Sequence, residues 1–92
     1  MIGGFRDRRL KRLYEAGDRS RLTPEHVEKL ENILARLDAA VALEDMDLPG
    51  FRLHALKGDL RGFWSVTVRA NWCIVFRFEN GTAFDVDLID YH

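Results

Sequence analysis

Apolar residues follow two different periods along this chain. Up to about residue 42 they recur every third or fourth position, the spacing of one helix face, and from Phe51 onward they alternate, the spacing of strands. Leu10, Leu13 and Tyr14 share one face of a short helix whose other side is Arg8, Arg9, Lys11 and Arg12. Asp7 is placed to cap its start and Gly17 to stop it. Thr23-Pro24 opens a second helix, with Thr23 as the cap and Pro24 in the first turn. Its apolar stripe is Val27, Leu30, Leu34, Leu37 and Val41, widened by Ile33, and it is expected to end near Ala42. His26 falls in the first turn on the polar side, beside Glu28, Lys29, Glu31 and Arg36. Met1 to Phe5 either starts a strand or leads into the first helix. Glu44 to Pro49 reads as an acidic loop, and Pro49-Gly50 breaks the chain.

The second half predicts strands at Phe51–Leu56, Phe63–Arg69 and Trp72–Phe78, and a last one carrying Phe84, Val86 and Leu88. Trp64, Val66, Val68, Trp72, Ile74, Phe76 and Phe78 would face the core, and the last strand would keep the same parity. A two-residue Asn80-Gly81 turn pairs even positions with odd ones, which breaks that parity. The pattern therefore predicts three-residue connections, Glu79-Asn80-Gly81 and Arg69-Ala70-Asn71, with Gly81 and Asn71 left-handed. Cys73 then lies between Thr67 and Asp87 on the outer face. The expected fold is α+β, with two N-terminal helices packed on one face of a small antiparallel sheet of about four strands. The uncovered face would expose Arg69, Cys73, Arg77, Asp85 and Asp87, with His54, Lys57 and Arg61 on neighbouring segments.

Ninety-two residues, read as 1–92, are expected to form a single domain without repeats. One cysteine excludes an internal disulfide and fits a reducing compartment. No apolar run is long enough for a membrane helix, and the first residues lack a signal-peptide apolar region, so a cytoplasmic location is expected. Charge alternates in blocks. Met1–Arg21 holds seven basic and three acidic residues, Leu22–Gly50 two and seven, Phe51–Arg77 five and one, and Phe78–His92 none and four. Such blocks are either solvated faces or a basic surface for a polyanion opposite an acidic or mixed surface for a protein partner.

His54, Lys57 and His92 are the candidate chemical groups. Two imidazoles can donate and accept a proton near neutral pH, and a lysine can hold a phosphate. RNA supplies its own nucleophile, the 2′-hydroxyl, so these groups suffice without metal or cofactor. On spacing alone, a lone strand histidine such as His54 is more often a packed or surface residue, and a C-terminal histidine is usually frayed. The strand pattern persists to Ile89, which places His92 near the sheet, and its own α-carboxylate would favour the imidazolium.

Leu53-His54-Ala55-Leu56-Lys57-Gly58-Asp59, Gly62-Phe63-Trp64-Ser65-Val66, Arg69-Ala70-Asn71-Trp72, Ile74-Val75-Phe76 and Asp90-Tyr91-His92 resemble the HigB toxins. These are a branch of the RelE-like superfamily linked to the plasmid maintenance killer proteins. The resemblance covers nearly the whole chain and is densest from Leu53 onward. It implies the RelE-like microbial RNase fold and a ribosome-dependent endoribonuclease that cuts mRNA in the decoding site. It also implies a HigA-type helix-turn-helix antitoxin as partner, with operator DNA reached only through that antitoxin. By the same resemblance His54 and His92 match acid/base groups, Lys57 a phosphate-stabilising lysine, and Tyr91 a residue that orients or stacks on a base. Asp90 matches a support for the terminal histidine. Arg8, Arg9, Lys11, Arg12, Arg61, Arg69 and Arg77 would contact RNA phosphates.

The departure from the pattern is Cys73, where the family has an arginine that clamps the scissile phosphate. Cysteine is short and offers no fork of donors. An arginine codon becomes a cysteine codon by one base change, and a weakened toxin is easier for a host to tolerate. The expectation is an attenuated toxin. The alternatives are that Arg69 or Arg77 supplies the charge, or that the chain is a catalytically inactive binding module. A His54/Cys73/His92 metal site is disfavoured because the spacing matches no local ligand motif. A DNA-binding domain in its own right is disfavoured because no helix-turn-helix pattern is visible.

Overall fold

The computed structural model describes residues Met1–Tyr91; the expectation for His92 lies outside the described residues. Two helices, α1 (Arg8–Ala16) and α2 (Pro24–Ala39), precede strands β1 (His54–Ala55), β2 (Trp64–Arg69), β3 (Trp72–Glu79) and β4 (Thr82–Asp90). The strands pair antiparallel in the order β1-β2-β3-β4. Beyond β4 the first residues add parallel bridges, Ile2 to Ala83 and Phe5 to Val86.

Asp7 caps α1 as its position predicts, its carboxylate accepting from the Arg9 and Leu10 amides at 2.7 and 3.1 Å. Gly17 ends the helix in the left-handed region at φ 67°, open to glycine at no steric cost. Burial pushes the Asp7 carboxyl up, but the Arg9 side chain and the Leu10 and Arg9 amides outweigh it and hold the group below its ordinary value. A depressed carboxylate stabilises above its unfolded-state value and loses that contribution as pH falls. Asp7→Ala is therefore expected to cost about 1 kcal/mol at pH 7. That deficit should shrink in acid, whereas Asp7→Asn should keep most of the cap. Urea titrations at the two pH values check this.

One core lies between the helices and the sheet. Leu10, Leu13, Val27, Leu30, Ile33, Leu34 and Leu37 meet Val66, Val68, Ile74, Phe76, Val86 and Leu88. Val41, counted in the apolar stripe, lies past the end of α2 and is 80% exposed. His26 is buried rather than on the polar side, its ring 5.9 Å from that of Trp72.

The turns resolve parity differently from the sequence pattern. Phe78 pairs with Ala83 and Glu79 with Thr82, so Asn80-Gly81 is a two-residue turn, with both residues left-handed at φ 50° and 78°. The parity it breaks is restored within β4 by a bulge between the Arg77–Phe84 and Val75–Asp87 pairs, where Asp85 takes φ 53°. Ala83 therefore replaces Phe84 in the core, while Val86 and Leu88 keep their expected side. At the other hairpin Arg69 pairs with Trp72, Ala70 rather than Asn71 is left-handed (φ 52°), and the register shifts at Val68. Cys73 pairs with Thr67 as expected, but with Ile89 rather than Asp87.

The second face is not open. Leu56, Phe63, Cys73 and Val75 form a smaller buried cluster, with Leu60 and Ile89 packed against it. The predicted Phe51–Leu56 strand is reduced to two residues, because Arg52 turns left-handed at φ 53°. The segment from Leu56 to Phe63, including a 3-10 turn at Gly58–Leu60, lays its apolar side chains over that face.

Candidate active face

Register places the candidate groups in rows across the face opposite the helices. His54 pairs with Ser65, Ser65 with Val75, and Val75 with Asp87; the next row is Thr67, Cys73 and Ile89. His54 is exposed, and its Nδ1 lies 2.8 Å from the Arg52 carbonyl oxygen. Lys57 is exposed at the entry to the 3-10 turn. Tyr91 is 46% exposed just past β4, its amide donating to the Asn71 carbonyl at 2.7 Å. Asp90 pairs with Trp72 at the end of β4. Three strand spacings, about 14 Å, separate the strand of His54 from β4. The structure thus sets His54 and Lys57 on one flank, Tyr91 on the other and Cys73 between them, whereas Asp90, paired with Trp72, shares the strand parity of Leu88 on the helical side.

Cys73 is not exposed, as the alternation predicted, but only 6% accessible within the second cluster. Its thiol faces the Asn71 carbonyl at 3.7 Å. Beside it on β2, Ser65 is fully buried, and its Oγ has no hydrogen-bond partner among the described residues. The period-two pattern put Ser65 on this face, but nothing in the sequence announced that the face would be covered.

The arginines divide. Arg69 is not on this face: the shift at Val68 carries it to the helical side, where it pairs with Glu25 at 3.0 Å. Arg77 is on this face, with Nε donating to Asp85 at 2.9 Å and Nη1 to Glu79 at 3.3 Å. Arg6 joins them: its guanidinium covers the Phe63 ring at 5.0 Å and lies 3.8 Å from Asp85. Arg9 is half-buried and turned to Asp7 at 2.8 Å, which pushes its guanidinium up. Arg8, Lys11 and Arg12 are exposed and line a concavity of about 310 Å³ with Glu15 and Arg21. Arg12 also pairs with Asp18 at 3.0 Å. Arg61 is exposed.

The face thus presents an exposed imidazole and ammonium on one flank, a phenol on the other, and Arg6 and Arg77 paired with Asp85 beside them. Comparison with known proteins then decides the family: residues 3–92 match the model of the RelE-like toxin of the type II toxin-antitoxin system HigB. The chain belongs to the HigB-like toxin family. It is 40% identical over 92 residues to "Endoribonuclease HigB" of Proteus vulgaris, covering 100% of both chains. It is 36% identical over 86 residues to "Toxin HigB-1" of Vibrio cholerae serotype O1, covering 91% of this chain and 90% of that one. In fold it is similar to a chain of the YoeB-YefM complex from Staphylococcus aureus. The TM-score is 0.58 at 14% identity, covering 100% of this chain and 98% of that one. The HigB-like family and the two helices on a four-stranded antiparallel sheet are therefore as the sequence motifs implied.

Proposed function

We propose that this HigB-like chain is a cytoplasmic endoribonuclease toxin that cuts mRNA on the ribosome. The observation that carries the reading is the exposed His54 on the sheet face opposite the helices, in a chain of this family over its whole length. One imidazole takes the proton of the 2′-hydroxyl as that oxygen attacks phosphorus. The other returns a proton to the departing 5′-oxygen. The products are a 2′,3′-cyclic phosphate and a 5′-hydroxyl. His54 and His92 are assigned these two tasks, Lys57 the charge on the phosphate, Tyr91 the placement of a base, and Asp90 support of His92. No metal enters this scheme. Arg8, Lys11, Arg12 and Arg61 are exposed, as contacts to ribosomal RNA phosphates would require. Arg77 already holds Asp85 and Glu79, so a phosphate at its guanidinium would compete with two carboxylates.

A HigA-type helix-turn-helix antitoxin is the proposed partner, and it alone would touch operator DNA. Cys73 makes the proposed toxin a weak one, because a thiol buried among apolar side chains cannot replace a guanidinium on the phosphate. The second reading, an inactive toxin-like module that acts through its antitoxin, draws on that same burial.

The test is to incubate the purified chain with one mRNA, free and bound to initiated ribosomes, and with a 2′-deoxy copy of its coding stretch. The proposal expects slow cutting only on ribosomes, 5′-hydroxyl ends, and no cutting at deoxy positions. Cutting of the deoxy copy would overturn the 2′-hydroxyl mechanism. Absence of cutting on ribosomes, with antitoxin binding retained, would favour the inactive module.

A further inference from the structure

We propose that Arg52 is a positioning residue for His54. Its main-chain carbonyl holds the ring so that Nε2, and not Nδ1, is offered to substrate. The inference rests on the reading of His54 as an acid/base group. Nδ1 lies 2.8 Å from the Arg52 oxygen. A carbonyl oxygen can only accept, so Nδ1 carries the hydrogen, and in the neutral ring the lone pair is on Nε2. Proton exchange with the 2′-hydroxyl or with the departing oxygen then runs through Nε2, whichever step His54 serves.

An ordinary strand would not deliver that carbonyl. The Phe51 carbonyl accepts from the Thr67 amide at 2.7 Å, and His54 pairs with Ser65. From Phe51 to His54 is three steps, against two from Ser65 to Thr67, so one residue is in excess on this side. Both ends are fixed: Phe51 is 3% exposed in the main core, and Ser65 is fully buried. Arg52 absorbs the excess by turning left-handed at φ 53°, a conformation that side chains with a Cβ rarely adopt and that collects at functional sites. Its side chain is exposed, so the backbone turn and not the guanidinium is the working part.

Two substitutions separate backbone from side chain. Arg52→Gly removes the guanidinium but keeps the left-handed turn open. Arg52→Val excludes the turn, because a β-branched side chain fits poorly there. The tautomer is read by long-range 15N–1H correlation on the full chain at about pH 8.5, where an ordinary imidazole is neutral. The His54 signals are assigned by their loss in His54→Gln. The parent and Arg52→Gly should show His54 protonated on Nδ1. Arg52→Val should move the proton to Nε2 in part or whole. In ribosome-bound cleavage Arg52→Val should lower kcat about 10-fold with KM unchanged. A parent His54 protonated on Nε2, or an Arg52→Val chain that keeps the Nδ1 proton, would overturn the inference. An Nδ1 proton that responds to Arg52→Val in a chain that cuts no RNA supports the positioning and removes only the proposed activity.

Discussion

Cys73→Arg is expected to raise cleavage of ribosome-bound mRNA by about 10²- to 10³-fold, the usual worth of one preorganised donor to developing negative charge. The same change should weaken the fold by about 1–3 kcal/mol, as overpacking of a filled site does. Both effects follow from where Cys73 sits. It is 6% exposed on β3 among Leu56, Phe63 and Val75, with Leu60 and Ile89 packed alongside. An arginine stem must thread that cluster before its guanidinium reaches a phosphate, and long basic side chains do so by laying their methylenes on apolar surface. The rate is read from single-turnover cleavage and the stability from urea titration. Cys73→Ala is the control, expected to remain as slow as the parent. A Cys73→Arg chain that folds but cuts no faster would show that position 73 is not where a phosphate clamp is missing.

What the residues disclosed in advance is uneven for physical reasons. The caps of α1 were legible because Asp7 and Gly17 act on amides and carbonyls next to them in the chain. The helical stripe was legible through Leu37 and failed at Val41, because α2 ends at an alanine C-cap, Ala40, and not at a glycine that the sequence would announce. Asn80-Gly81 carries a strong two-residue turn signal, yet strict parity argued against it. The reconciling element is a bulge at Asp85, and a bulge leaves no periodic trace in one sequence. A second shift, at Val68, moved Arg69 to the helical side, away from Cys73, beside which the pattern had set it. Alternation assigned Cys73 and Ser65 to the correct face. It could not show that Leu56, Leu60 and Phe63 fold back to cover them, because that cover comes from an irregular segment. His54, Lys57 and Tyr91 were found by motif, and the structure adds their placement on opposite flanks of one face. Arg52 was not foreseen as a partner of His54, since a carbonyl contact made by a left-handed residue has no sequence signature.

His54→Ala is expected to reduce cleavage by about 10²- to 10⁴-fold, the range for removing one positioned acid or base. It should leave stability within about 0.5 kcal/mol, because the side chain is exposed. The loss should appear in kcat, and it should persist when Cys73→Arg is also present, since a restored clamp cannot move a proton. The most direct test of acid/base cleavage at this face is therefore single-turnover cutting of mRNA on initiated ribosomes by four chains: parent, His54→Ala, Cys73→Arg and the double variant. The expected order is Cys73→Arg fastest, the parent slow but measurable, and His54→Ala slower than the parent, while the double variant falls about 10²- to 10⁴-fold below Cys73→Arg, with 5′-hydroxyl ends wherever cutting occurs. Equal cutting with and without His54, or no cutting by either the parent or Cys73→Arg, would contradict it.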